Sequence, residues 1–546
     1  MPTSSSQAPR RTFLSGVSVL TLSAVIVKVI GLLYRIPLLA YLGTEGLGYF
    51  NTAYEIYALF CVISTAGIPV AMSVLISARE AEGRAEEGER IFRVANTLLF
   101  AVGLTGTLIL WGFSDPIASL LGSPLSAACI RSVSPTVGLI CLSSAVRGYF
   151  QGQRQMLPTA LSQVIEATGK LIPGLVFAGY ARGAGKDLPT TAAYAAMGLT
   201  VGTALSLLYL ILHRRISDRR GRMRDGQPSV TPAHNGRILR ELLKTAVPVT
   251  ISAGVISLTK CVDLALILRR LQEVGHTAAA ANALYGCYST LAVPIFNVIP
   301  SLTTSVALSS VPALSAALGK GREGVGELKR TAASALALTL VVAIPASLGV
   351  AVYAEEVLTL LFGGQPDAVA LATPWLSCLG LSIPVACLIT VTSGMLQAAG
   401  KAKYPIASML MGVVVKTGMA YRLLGRDGWG MAAVPFSSLL CDAVVVAVNL
   451  CMIARVSPAM LPSGRASLKM IGGPALLSVA AIALTDLMRR WWGLEEKHAL
   501  QTVVTILSVV LLYGAGLLII GLICKQLPIY KKKESHHEQV NSSGAR

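Results

Sequence analysis

Residues 148–171 read GYFQGQRQMLPTALSQVIEATGKL; after Pro158 the chain turns apolar in the manner of a bilayer-crossing segment, yet it carries Glu166 and Lys170. An ionisable group at the centre of a membrane helix costs on the order of 3 kcal/mol of insertion free energy. A charged pair kept there faces other helices or water, not lipid. Pro158 suits the first turn of a helix, where its missing N–H leaves no intrahelical bond unmade. At about 1.5 Å per residue, Lys170 then lies about 18 Å further along the axis, near the midplane of a hydrocarbon layer about 30 Å thick.

The rest of the chain is of the same kind. Of its 546 residues, 53% are hydrophobic and 13% charged, about half the charge of an ordinary soluble domain, where the share is about 25%. Runs long enough to cross a bilayer occur at 16–42, 52–78, 94–113, 128–150, 158–180, 190–212, 241–268, 279–313, 331–353, 368–396, 404–421, 429–454, 470–488 and 499–524. The runs are continuous, without the alternation of a membrane barrel. They predict an all-α polytopic membrane protein of about 14 transmembrane helices with no sizeable soluble domain. RRTFL near the start resembles a twin-arginine export signal, but the following apolar run is too long and carries Lys28, so a retained first helix is expected.

Basic residues orient these spans. With the N-terminus in the cytoplasm, 29 of the 46 Lys and Arg fall on that side and nine on the other, so the positive-inside rule puts both termini in the cytoplasm. The net charge of +19 is then a matter of short loops against anionic membrane lipids, and no nucleic-acid partner is expected. RRISDRRGRMRDGQ, residues 214–227, reads as a solvated linker. The ten cysteines lie in or at the ends of apolar spans without a CxxC pair, and the six histidines lie at helix ends, in loops or in the tail. No metal site, cofactor or catalytic residue is predicted.

Eight cations remain within spans or at their edges: Lys28, Arg35, Arg131, Arg147, Lys170, Lys244, Lys260 and Lys416. Arg131 and Lys244 are close enough to span ends to snorkel, and Arg147 lies just before the loop at 151–157. The acids are Glu55, Glu166, Asp263 and Asp442, with Glu241 and Asp486 near helix ends. Local pairing at i,i+4 for Glu166 and Lys170, and at i,i+3 for Lys260 and Asp263, is the structural reading. It leaves Lys28, Arg35, Arg147 and Lys416 without local partners, an excess of intramembrane cation that suits an anionic headgroup.

The opening segment also repeats. In GMLQAAGKAKYPIASMLMGVVVK, residues 394–416, Gly394, Gln397, Pro405 and Lys416 match Gly148, Gln151, Pro158 and Lys170. Lys28 precedes Gly43 by 15 residues, as Lys260 precedes Gly275, and Tyr57 precedes Pro69 by 12, as Tyr288 precedes Pro300. The halves therefore predict two pseudo-symmetric six-helix lobes related by an axis along the membrane normal, with a site between them. The N-lobe covers 1–213, the basic linker 214–240, the C-lobe 241–455, two extra helices 456–524 and a basic cytoplasmic tail 525–546.

Residues 28–80, KVIGLLYRIPLLAYLGTEGLGYFNTAYEIYALFCVISTAGIPVAMSVLISARE, with 147–170 and KCVDLALILRRL at 260–271, resemble the stage V sporulation protein B group. This group belongs to the polysaccharide transporters of the multidrug/oligosaccharidyl-lipid/polysaccharide (MOP) flippase superfamily. The resemblance covers nearly the whole chain. It implies a MATE/MOP-like V of fourteen helices in the bacterial cytoplasmic membrane, and movement of an undecaprenyl-pyrophosphate-linked precursor by alternating access. It further implies a cationic cavity for the pyrophosphate, drawn here from Lys28, Arg35, Arg147, Lys170, Lys260 and Lys416. Arg35 lies in a first-helix region where such flippases carry functional arginines. Glu55, Glu166, Asp263 and Asp442 are the candidates for ion coupling or pairing. The expected partners are a lipid-linked oligosaccharide and cell-wall synthesis proteins. A cation-coupled multidrug antiporter and a non-transporting scaffold of a cell-wall complex are the competing readings. An enzyme is disfavoured because the outer loops are short and hold no catalytic constellation.

Overall fold

The computed structural model describes residues 8–82, 84–222, 235–426, 428–491 and 499–526, and among these every regular element is a helix. Residues 223–234 of the basic linker and 527–546 of the basic tail lie outside the described residues.

By packing the chain divides into two compact units, Met1–Thr290 with Thr417–Ala433 and Leu291–Lys416 with Val434–Arg546. The first holds α1 (Ala8–Ala66), α2 (Ile68–Ala81), α3 (Ala85–Gly112), α4 (Ser114–Leu120), α5 (Ala127–Gly152), α6 (Leu157–Gly183), α7 (Leu188–Arg222), α8 (Asn235–Glu273) and α9 (Ala278–Cys287). The second holds α10 (Val293–Gly319), α11 (Val325–Val352), α12 (Ala354–Phe362), α13 (Pro366–Ala398), most of α14 (Lys403–Leu424), α15 (Ala433–Val456), α16 (Gly464–Trp491) and α17 (Ala499–Gln526). These units group residues by packing and are a different division from the sequence repeat.

Among the described residues, twelve helical stretches are long and apolar enough to cross a membrane, and the chain is a multi-pass membrane protein. Two features separate twelve from the expected fourteen. The first stretch, Leu22–Glu80, is a single run because α1 contains the first predicted span and most of the second. Its break is one residue, Gly43, at φ 60°, a left-handed conformation that glycine adopts without a Cβ penalty. The loop expected at 43–51 is therefore helix, which resumes at Thr44. The second feature is α6, which is 27 residues long but is lowered in mean hydropathy by Gln163, Glu166 and Lys170.

A second departure lies in the span predicted at 279–313. A π-helical turn, Tyr288–Ala292, interrupts it between α9 and α10. Such a turn displaces carbonyls from the regular i→i−4 ladder, and Pro294 just beyond has no N–H to give one of them.

Glycine sets how closely the first unit packs around the opening segment. A Cβ on Gly202 would stand 2.5 Å from the Lys170 backbone nitrogen, and one on Gly198 would stand 2.5 Å from Gly174 Cα. Gly198 and Gly202 are four apart on α7, the small-residue spacing that lets membrane helices meet backbone to backbone. Gly169 completes the contact from α6, 2.8 Å from Gly202 Cα by the same measure. The core behind it joins α2, α3 and α5 through Met72, Ile76, Leu99, Cys141 and Phe150, all at 1% exposure or less.

Positions paired by the repeat share local structure. Gly275, the counterpart of Gly43, also has positive φ, 103°. Lys170 and Lys416 are both fourteenth residues of their helices, α6 and α14.

Candidate functional site

The polar centre of the first unit is built on α5, α6 and α7. Arg147 is buried at 9% exposure and Glu166 at 7%. Arg147 donates from Nη2 to Glu166 Oε2 at 2.8 Å, from the same nitrogen to Ser206 Oγ at 2.9 Å, and from Nε to Ser162 Oγ at 2.9 Å. Ser206 in turn donates to the Ser162 carbonyl at 2.9 Å, and Ser162 to that of Thr159 at 2.7 Å. The other carboxylate oxygen of Glu166 takes Lys170 Nζ at 2.6 Å. One acid thus serves two cations, one on each carboxylate oxygen. The backbone contact of α6 with α7 through Gly169 and Gly202 places Ser206 within reach of Arg147.

The i,i+4 pairing of Glu166 and Lys170 expected from spacing is present. Arg147 is not a residue snorkelling at a span end, as its place before the loop suggested. It is the buried hub of the cluster, and its partners stand 15, 19 and 59 residues away in sequence.

Lys170 is the half-open member, with its side chain 24% exposed, and it lies 5.9 Å from the centroid of the Tyr57 ring. Tyr57 ends a line of rings on α1. Tyr34 and Phe50 are 6.3 Å apart, Phe50 and Tyr54 6.4 Å, and Tyr54 and Tyr57 5.9 Å. The spacing of Phe50, Tyr54 and Tyr57, four and then three residues, puts them on one helix face. Neither this track nor Ser162 and Ser206 was anticipated, although the ring spacing is visible in the sequence.

Arg35, also on α1, addresses the π-helical turn. Its Nη1 donates to the carbonyls of Ser289 at 2.7 Å and Thr290 at 3.2 Å, while Asn51 Nδ2 donates to Ser289 Oγ at 2.8 Å and Thr290 Oγ1 at 2.7 Å. Carbonyls that the turn takes out of register therefore find donors from another helix. Glu55, one turn beyond Asn51, lies in the electrostatic reach of Lys260, Arg35 and Asp263. Lys28 and Lys260 are exposed side chains of α1 and α8, and Asp263 is half-buried.

In the second unit Asp442 of α15 lies within the electrostatic reach of Lys416. Gly412, in the place corresponding to Glu166, is where α15 comes close: a Cβ there would stand 2.5 Å from Val445 Cγ2 and 3.1 Å from the Cys441 carbonyl oxygen. Ser408 precedes Lys416 by eight residues, as Ser162 precedes Lys170, and it too bonds a hub. That hub is neutral. Asn449 accepts from Ser408 Oγ at 2.7 Å and donates to Thr392 Oγ1 at 3.1 Å and Ser393 Oγ at 3.3 Å. The repeat thus keeps the serine and the lysine in both halves and concentrates the buried Arg–Glu pair in one.

Residues 13–318 match the polysaccharide biosynthesis protein family and residues 288–422 match the MatE family. Lipid II flippase MurJ of Bacillus subtilis (strain 168) is 28% identical over 430 residues, which cover 74% of this chain and 76% of that protein. Stage V sporulation protein B of the same organism is 23% identical over 462 residues, 82% and 85% of the two chains. A solved structure of lipid II flippase MurJ in an inward closed conformation shares the fold, with a TM-score of 0.68 at 15% identity, over 92% of this chain and 98% of that one. With more than half its length matched, this chain belongs to the polysaccharide biosynthesis protein family.

Proposed function

We propose that the protein moves a lipid-linked glycan or peptidoglycan precursor, carried on undecaprenyl pyrophosphate, across the bacterial cytoplasmic membrane by alternating access. Its place is cell-wall, spore-cortex or polysaccharide biosynthesis, with cell-wall synthesis proteins as neighbours and both termini in the cytoplasm. The kinship to a lipid II flippase and a sporulation protein supports the substrate class. The observation that carries the reading is the sign of the buried charge: Arg147 and Lys170 share the single carboxylate of Glu166.

A diphosphate sheds hydration to cross the membrane, and fixed cations in a low-dielectric setting offset that loss. Lys170, open on one side, is the primary headgroup ligand in this scheme. Glu166 is the internal counter-ion that keeps Lys170 in place between substrates, and Arg147 holds Glu166. Arg35 retains donors beyond the Nη1 bonded to the π-helical turn. Lys28, Lys260 and Lys416 complete the cationic set, with Glu55, Asp263 and Asp442 as their balancing acids.

The MatE match over 288–422 supports a second reading, cation-coupled export of organic cations. Proteoliposomes containing the purified protein, offered a fluorescent undecaprenyl-pyrophosphate-linked muropeptide and, separately, a cationic dye, discriminate the two. Translocation of the muropeptide without the dye is the expected result; dye transport alone supports the antiporter.

A further inference from the structure

The N-terminal ends of α3 and α8 bound a cavity of about 700 Å³, separate from the Arg147–Glu166–Lys170 cluster. Its lining changes along its length. Arg90 and Arg93 stand in the first three turns of α3, and Asn235 begins α8. Deeper in, Val94 and Leu98 of α3 face the cavity with Leu239 of α8. Residues 90, 94 and 98 recur every four, a single stripe of the helix, and 235 and 239 do the same on α8. From Arg93 to Leu98 the helix rises about 8 Å. The groove is therefore cationic at the helix ends and apolar toward the membrane interior, in two helices that both qualify as spans.

Its arginines differ from their neighbours. Arg79 lies 3.1 Å from Glu87 and 3.3 Å from Glu241, and Arg214 lies 2.6 Å from Glu89. Arg90 gives its Nε to the neutral Asn235 Oδ1 at 2.8 Å, and neither Arg90 nor Arg93 is ion-paired with a carboxylate among the described residues. The N-terminus of α8, whose first backbone N–H groups have no intrahelical acceptor, lies at the same end.

We propose that this groove binds an anionic phospholipid of the inner leaflet, its headgroup phosphate held by Arg90 and Arg93 and one acyl chain laid over Val94, Leu98 and Leu239. The positive-inside rule assigns this end of both helices to the cytoplasm, where basic pockets between membrane helices take such headgroups. A free phosphate gains nothing from the apolar wall. A zwitterionic lipid fills the wall but brings its own ammonium to the arginines.

The test uses the full chain purified in detergent and titrated with dioctanoyl phosphatidylglycerol, dioctanoyl phosphatidylcholine and inorganic phosphate, with bound lipid counted by native mass spectrometry. At about 1 kcal/mol per arginine, phosphatidylglycerol is expected to bind roughly thirtyfold more tightly than phosphatidylcholine. Inorganic phosphate at equal concentration is expected not to displace it. The Arg90→Gln/Arg93→Gln variant should lose the preference while still binding phosphatidylcholine, and Leu98→Trp should weaken both lipids. Arg93 is exposed, so the single Arg93→Gln keeps the test valid should the double variant not fold; its expected loss of preference is about fivefold. Lys170→Gln should leave the preference intact, which separates this groove from binding at the buried cluster. An unchanged preference in the arginine variants, its loss in Lys170→Gln, or displacement by phosphate at equal concentration overturns the proposal.

Discussion

Lys170 and Arg147 never meet in the first unit but share Glu166, at 2.6 Å on one carboxylate oxygen and 2.8 Å on the other. Removing the shared acid leaves two cations in a low-dielectric site, whereas removing Lys170 leaves the Arg147–Glu166 pair whole. Stranding a buried charge in this way costs about 3–5 kcal/mol. Glu166→Gln is therefore expected to lower the thermal unfolding midpoint of the purified protein well beyond Lys170→Gln. Equal losses would mean that Lys170, not Arg147, carries the pairing.

The close approach of α6 and α7 yields a second expectation. At Gly202 an added methyl meets backbone, the Lys170 nitrogen at 2.5 Å and the Glu166 carbonyl oxygen at 2.6 Å, so the helices must separate. Gly202→Ala should cost about 1–3 kcal/mol, the usual range for overpacking. Gly183→Ala, at the end of α6 with nothing within 4 Å of the new atom, should be close to neutral in the same unfolding measurement.

Arg35 and Asn51, both on α1, brace one π-helical turn, Arg35 through carbonyls and Asn51 through hydroxyls. Arg35→Ala leaves the Ser289 and Thr290 carbonyls without this donor, a loss of about 1–3 kcal/mol for each buried group. Residues that share partners couple by about 0.5–3 kcal/mol. A double-mutant cycle of Arg35→Ala with Asn51→Ala, read by unfolding, should show that coupling; strict additivity would mean that the two act on the turn independently.

The membrane spans were legible because apolar length is a property of composition, and the helix-breaking Gly43 stands in the sequence. What composition does not carry is the geometry of the break: one left-handed residue suffices, so the loop expected at 43–51 is helix. Glu166 and Lys170 could be paired by spacing because both sit on α6. Arg147 could not, because its partners come from α6 and α7 and only the packing of Gly169 on Gly202 aligns them. In the second unit the acid within electrostatic reach of Lys416, Asp442, likewise comes from another helix, α15, while the local position holds Gly412. The π-helical turn has no periodic signature in the sequence; the backbone of Tyr288–Ala292 shows it, and Arg35 and Asn51 supply donors to it.

The role given to Lys170 rests on its charge and reach. In proteoliposomes, flipping of the undecaprenyl-pyrophosphate-linked muropeptide by Lys170→Arg should remain within about tenfold of the native protein, since the cation is kept but its point-like geometry is lost. Lys170→Glu places a second carboxylate beside Glu166 and against the diphosphate, and should reduce flipping by more than a hundredfold, on the order of 3 kcal/mol. Measuring the initial flipping rate of Lys170→Glu, in protein shown to be folded and inserted, is the most direct test. A loss of that size is the expected result; a native rate would contradict a cationic site for the substrate's diphosphate.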